Sequence, residues 1–155
     1  MKKIAILLAV TGATLLSCNR MNTPATIGDD NPLLAVFETP YQAPPFHLIK
    51  NEHYKPAILE GIRVHQGEID AIAAGKDAPT FENTIVALET SGTLLNRVNT
   101  IFSNITSANT NDTLQALAQE LAPELSKHND NIYLNEKLFA RVKKVWDTQM
   151  NLKLT

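Results

Sequence analysis

The run from Pro79 to Val98 restricts the fold of this chain more than any other stretch, because its apolar residues recur at helical spacing. The apolar stripe consists of Phe81, Ile85, Leu88 and Leu95, and the charged residues off it are Glu82, Glu89 and Arg97. Thr80 follows a break at Pro79 and has a hydroxyl suited to cap a helix N-terminus. The pattern predicts one amphipathic helix from Thr80 to about Ser107 that buries one face.

Three further helices are predicted by the same periodicity. The first runs from near Pro56 to Ala74, before Gly75. The third opens at Asp112, and Pro123 predicts a kink or two shorter helices within it. The fourth runs from an Asn135 cap to about 150. The buried stripes are expected to be Ile58, Ile62, His65, Ile69 and Ile72; Leu94, Val98, Ile101, Phe102 and Ile105; Leu114, Leu117, Leu121, Leu125, His128 and Ile132; and Leu138, Phe139, Val142, Val145 and Trp146. The sequence therefore predicts an all-α fold of four or so antiparallel amphipathic helices.

Particular residues on these helices carry their own expectations. His65 lies on an apolar face, where a hydrogen-bonded core or boundary histidine is more common than a ligand. Gly61 and Gly67 weaken the first helix, which suggests close packing against a neighbour. The C-terminal half of the second helix is rich in Thr, Ser and Asn, and this polar face is either solvated, part of a domain interface, or a surface that contacts a peptide backbone.

Short motifs along the chain resemble the zinc metallopeptidases of the thimet oligopeptidase and dipeptidyl carboxypeptidase family, especially the bacterial peptidyl-dipeptidases. The matching pieces are NPLL at 31–34, PPF at 44–46, HYKPA at 53–57, EIDAIA at 68–73, PTFENTIVALETSGTLLNRV at 79–98, SANTND at 107–112, PELSKH at 123–128 and LFARV at 138–142. They occur in the family's order and spacing over about 31 to 145. The resemblance is to the N-terminal helical region of the family.

The resemblance implies zinc for the full-length family and short peptides as its substrates. Family members hold zinc with the two histidines of a helical HExxH motif and a downstream glutamate, and the motif's own glutamate activates the bound water. The four histidines here are His47, His53, His65 and His128, and no two are four residues apart. We therefore assign no catalytic or metal-binding residue to this chain, and its substrate-binding residues are unassigned.

The N-terminus has the pattern of a bacterial lipoprotein signal. Lys2 and Lys3 precede an uncharged stretch of thirteen residues at 4–16, which is shorter than the roughly 20 residues of a spanning helix. The sequence LLSC then ends at Cys18, the only cysteine, which we expect to carry lipid after cleavage. An ordinary secretory signal with an incidental Cys18 is the alternative. The expected location is the bacterial cell envelope, on the periplasmic or the outer side, with a membrane anchor.

Charge excludes one class of partner. The formal net charge is −2, and it becomes about −4 without Lys2 and Lys3. The densest positive cluster contains only Arg141, Lys143 and Lys144, which we expect on the solvated face of the last helix. No nucleic acid partner is therefore expected.

The predicted organisation is a signal peptide at 1–17, a lipid-anchored flexible tether at 18–32, and a helical N-terminal peptidase region at 33–155 that lacks a catalytic domain. Two functions are compatible with it. One is the wall of a peptidase channel, whose partner is the missing catalytic domain. The other is a stand-alone, lipid-anchored helical module that binds peptides or a protein.

Overall fold

The helix Asn51–Ala73 is the central element of the fold, because it contacts the helices Thr93–Ala108, Asp112–Tyr133 and Glu136–Gln149. The structure is a computed structural model and describes residues 31–149. The helical elements are a 3₁₀ turn Pro40–Gln42, α1 Asn51–Ala73, a π-helical segment Phe81–Val86, α2 Ala87–Thr90, α3 Thr93–Ala108, α4 Asp112–Tyr133 and α5 Glu136–Gln149. Residues 31–149 contain no β-strand, so the all-α prediction is confirmed.

The main core lies where α1, α3 and α4 meet beneath the segment that precedes α1. Its buried members are Leu33, Phe37, Tyr54, Ala57, Ile58, Val98, Ile101, Phe102, Leu114 and Leu121. The apolar stripes predicted for the first helix, which is α1, and for the third predicted helix, which is α4, are confirmed. Each side chain of these two stripes is buried or half-buried. The stripe of α3 is likewise buried or half-buried. Helical spacing therefore located the main core correctly.

Helix α1 begins five residues before Pro56, earlier than predicted. Pro56 has no backbone N–H, so one helical hydrogen bond is missing in this part of the helix. Burial of Tyr54, whose ring lies 5.1 Å from that of Phe102, favours the extra turn. The side chain of Asn31 also donates to the carbonyl of His53 at 2.9 Å. Tertiary contacts therefore override the local signal.

The predicted second helix is broken. Thr80 caps the π-helical segment as expected, with its hydroxyl accepting from Asn83 N at 3.1 Å. The chain then turns at Ser91 and Gly92, where Ser91 is extended and Gly92 has a φ of 70°. Phe81, expected to be buried, is half exposed, and Leu88 is only half-buried.

Helices α4 and α5 differ from prediction in detail. Asn111 and not Asp112 caps α4, because its side chain accepts from Leu114 N at 2.9 Å. The helix runs without interruption through Pro123 as one element. Asn135 caps α5 as predicted. Phe139 and Trp146 of α5, which were expected to be buried, are exposed.

Two glycines of α1 have opposite surroundings. A Cβ atom on Gly61 would lie 2.9 Å from Leu95 Cα, so the backbones of α1 and α3 approach closely here. A Cβ on Gly67 would meet nothing within 4 Å. Close packing is confirmed for Gly61 and wrong for Gly67.

The two glycines provide a matched pair of substitutions. Gly61→Ala is expected to lower the free energy of unfolding by about 1–3 kcal/mol, because α1 and α3 must move apart. Gly67→Ala is expected to raise it by about 0.5–1 kcal/mol through helix propensity alone. Chemical denaturation of both variants checks this, and equal shifts in the same direction would contradict the assigned contact.

Candidate functional site

The most connected polar cluster lies where α1, α4 and the break before α3 meet. His65 Nδ1 of α1 and His128 Nε2 of α4 are 3.0 Å apart, and the rings meet edge to face with centroids 4.9 Å apart. His65 Nε2 lies 3.1 Å from Ser91 Oγ. His128 is 3% exposed and His65 is half-buried. The sequence prediction of a hydrogen-bonded histidine at 65 is confirmed, and its partners come from distant parts of the chain.

The directions of these hydrogen bonds follow from one carbonyl. Ser91 Oγ lies 2.7 Å from the carbonyl oxygen of Leu88, which can only accept, so the hydroxyl donates there. His65 Nε2–H therefore donates to Ser91 Oγ. With both rings neutral, His65 Nδ1 accepts from His128 Nε2–H. His128 Nδ1 is then a bare acceptor, and it is buried with no hydrogen-bond partner among the described residues.

The adjacent glycine fixes the backbone of the break. Gly92 N donates to Glu68 Oε2 at 2.7 Å, which joins the start of α3 to α1. A Cβ on Gly92 would lie 2.7–2.9 Å from ring atoms of His65. Glycine is thus required both for the positive φ and for the imidazole packed against it. The sequence signal was the Ser-Gly pair within the helical run, which periodicity alone overlooked.

Burial sets the protonation of the pair. Desolvation lowers the pKa of His65 below its usual 6.5, and the negative charge of Glu68 opposes this shift. Desolvation also lowers the pKa of His128, and a positive charge on His65 lowers it further. Both rings are therefore held neutral near pH 7.

The cluster does not have the polarity of a serine nucleophile and its base. In a nucleophile pair the hydroxyl donates to the histidine, which takes its proton. Here the Ser91 hydroxyl donates to a main-chain carbonyl and the histidine is the donor. The hydrogen bonds satisfy buried polar groups and join three helices, which is a structural role.

A second polar anchor is Arg141 of α5, which is 8% exposed. Its Nη1 donates to the carbonyls of Gly75 at 2.8 Å and Asp77 at 3.2 Å, and its Nη2 donates to Asn83 Oδ1 at 3.2 Å. The predicted solvent exposure of this basic cluster is wrong for Arg141, although Lys143 and Lys144 are exposed. The hydrogen bonds of Arg141 therefore connect α5 to the loop between α1 and the π-helical segment.

The residues predicted to target the chain lie elsewhere. The signal peptide and the lipidation residue Cys18 lie outside the described residues, as do residues 18–30 of the predicted tether. Asn31, at the end of that tether, is buried and hydrogen-bonded within the folded part. Among residues 31–149, no helix combines the length and apolar composition of a membrane span.

Comparison with known proteins identifies relatives. No family model matches the chain. Over 124 residues the chain is 49% identical to the dipeptidyl carboxypeptidase of Salmonella typhimurium strain LT2 and 48% identical to that of Escherichia coli strain K12. The chain is related to the dipeptidyl carboxypeptidases. The matched region is 80% of this chain and 18% of each of those two proteins, so the chain spans less than a fifth of their length.

Zinc, which the resemblance to the wider peptidase family implies, does not fit the described side chains. Residues 31–149 contain no group of three or more His, Cys, Asp or Glu side chains placed to hold a metal ion. The facing nitrogens of His65 and His128 are 3.0 Å apart and share a hydrogen, so their lone pairs are not both available to one zinc ion. No chemical step on residues 31–149 is therefore assigned to a metal.

The histidine pair makes stability dependent on pH. Because both folded-state pKa values lie below the usual 6.5, the unfolded chain binds more protons. The contribution of the neutral pair to the free energy of unfolding is complete above pH 6.5. It is lost as the pH falls from there through the folded-state pKa values. Urea denaturation at pH values from about 7.5 to 5.5 should show a decreasing free energy of unfolding, since this range avoids most carboxylate titration.

Two variants identify the source of this pH dependence. His65→Gln should weaken it, whereas His47→Gln, which changes an exposed histidine, should leave it unchanged. The charged groups that line the cleft beside the pair are Arg63, Asp70, Glu124 and Lys127. An unaltered pH profile in His65→Gln would assign the effect to other groups.

Proposed function

We propose that this chain forms the N-terminal channel-wall segment of a lipid-anchored zinc peptidase of the peptidyl-dipeptidase type, which acts on short peptides. The segment contributes shape and contacts, and residues outside it contribute the metal site. The identity to two dipeptidyl carboxypeptidases and the small share of their length that it covers support this proposal.

An uncovered apolar surface is the observation that carries the proposal. Helix α5 has two parallel apolar rows, each with members seven residues apart and therefore on one face. Leu138 and Val145 form the first row and are buried. Phe139 and Trp146 form the second row, and they are 65% and 62% exposed. The predicted burial of Phe139 and Trp146 is wrong for this segment, because α5 packs only its first row against the other helices.

The element that packs against α5 also leaves large apolar side chains exposed. The π-helical segment contacts α5 and exposes Phe81 and Val86. Tyr133 and Leu134, at the turn before α5, are also largely exposed. We call Phe81, Val86, Phe139 and Trp146 the α5 face. Exposed large apolar side chains gathered on neighbouring elements are typical of a surface that another protein body covers.

The occupant that we propose is the remainder of the peptidase. The two relatives extend over more than four times the length of the matched region, so they contain a far larger body for this region to contact. The stand-alone binding module remains the alternative. Its exposed polar residues on α3, among them Asn96, Thr100 and Ser103, are available to a peptide but also to solvent.

Complementation tests this role. The chain alone, supplied with zinc, is expected to show no chelator-sensitive hydrolysis of a short quenched peptide. Combined with the Escherichia coli relative lacking its matching 124 residues, it should bind that protein and restore hydrolysis. Phe139→Ser with Trp146→Ser should weaken binding at least about tenfold, because apolar anchors dominate such interfaces.

The matched control is Val36→Ser, which changes a side chain that is 78% exposed but lies before α1. It should bind as the unmodified chain does. Zinc-dependent hydrolysis by the chain alone would contradict its catalytic incompleteness. Sedimentation and the fluorescence of a hydrophobic dye measure self-association and exposed apolar surface. A monomer that binds neither the dye nor the truncated relative would favour the stand-alone module.

Anchoring is the other part of the proposal, supported by the LLSC sequence that ends at Cys18. Several acyl chains on one cysteine would hold the protein firmly, whereas a single chain binds membranes marginally. Cys18→Ser should abolish incorporation of a labelled fatty acid and block normal processing in a bacterial host. Equal label in both proteins would contradict lipidation at Cys18.

A further inference from the structure

Arg97 of α3 has an unusual environment on the face that meets the segment before α1. Its Nη2 donates to the carbonyl oxygen of Leu33 at 3.0 Å, and its guanidinium carbon lies 4.7 Å from the centroid of the Phe37 ring. The side chain is half-buried, and both contacts hold it in one orientation. Its position is therefore fixed by the fold.

The charge of Arg97 has no carboxylate partner among residues 31–149. The ion pairs in this range use Lys50, Lys55, Arg63 and Lys143. Arg97 Nε is also buried without a hydrogen-bond partner among the described residues. A partly desolvated cation without a counter-charge destabilises a protein unless an anion or water satisfies it. This guanidinium therefore has the capacity to bind an anion.

A cleft of about 280 Å³ opens beside Arg97. Its apolar lining is formed by Val36, Phe37, Pro44 and Ile101. This volume lies just below the range of small-molecule sites, about 300–1,000 Å³, so the cleft suits only a small group. The apolar walls suit an aliphatic side chain.

The polar lining is formed by Arg97, Thr100 and Gln42, and no acidic residue lines the cleft. All three side chains have N–H or O–H donors. Gln42 is held in the left-handed region, with a φ of 55°, next to Tyr41 with a φ of 59°. Such a conformation is costly for residues other than glycine and persists only when the surrounding structure enforces it.

We propose that this cleft binds a carboxylate that carries a small aliphatic group, with Arg97 as the anion-binding residue and the apolar walls around the aliphatic chain. The C-terminal residue of a peptide and a free short-chain carboxylic acid both have this chemistry. Nη2 already uses one N–H on Leu33 and Nε is enclosed, so the carboxylate accepts from the other N–H groups of the guanidinium. The site is independent of the proposed peptidase role, so the failure of either proposal leaves the other intact.

The test is a titration of the purified chain, followed by NMR. N-acetyl-L-leucine is expected to shift the signals of Arg97, Thr100 and Ile101, with a dissociation constant on the order of 1 mM for so small a ligand. N-acetyl-L-leucine amide, which lacks the charge, should bind at least about tenfold more weakly. Hexanoate distinguishes a free carboxylic acid from a peptide C-terminus as the ligand. Binding of hexanoate equal to that of N-acetyl-L-leucine indicates a site for free acids, and weaker binding indicates a site for a peptide C-terminus.

Two substitutions and a control complete the test. Arg97→Met should abolish the shifts, and Arg63→Met, which removes an exposed arginine elsewhere on the surface, should leave them unchanged. If Arg97→Met unfolds, Thr100→Val and the comparison of acid with amide decide the question in folded protein. Equal binding of acid and amide, or unchanged binding by folded Arg97→Met, would overturn the proposal.

Discussion

The close contact between α1 and α3 is the constraint on which the rest of the structure depends. It requires a residue without a side chain at Gly61, because Leu95 occupies the space where a Cβ would lie. Burial of Ile58 and Val98 in the same core stabilises the pair of helices. Helix α4 and the segment before α1 then cover the remaining apolar surface of this pair. The position of the histidine cluster and of Arg97 both follow from this arrangement.

Polar contacts then fix details that apolar packing leaves open. The hydrogen bonds from His128 to His65 and from His65 to Ser91 join α4, α1 and the break before α3. The bond from Gly92 N to Glu68 fixes the other side of the same break. Arg141 fixes the position of α5 by donating to three acceptors that are distant in sequence. A buried polar group is costly without partners, so each of these networks favours one arrangement of the helices.

The α5 face and the Arg97 cleft show how the same fold can present two different surfaces. The α5 face has four exposed large apolar side chains, which suits contact with another protein body. The Arg97 cleft is small and positive, which suits a single charged group. Phe139 and Trp146 were predicted to be core residues because helical periodicity identifies an apolar stripe but not the surface that covers it. Residues at such an interface obey the same periodicity as residues of an internal core.

The sequence by itself determined the helical class, the main core, the caps at Thr80 and Asn135, and the relation to a peptidase family. These depend on local spacing and short motifs, which the order of residues contains directly. Only the tertiary structure decided the break at Ser91 and Gly92, the meeting of His65 with His128, the burial of Arg141 and the isolation of Arg97 from carboxylates among residues 31–149. The histidines are 63 residues apart, and Arg141 lies 58 to 66 residues from its acceptors. Contacts over such separations depend on how whole helices pack, and no local pattern specifies them.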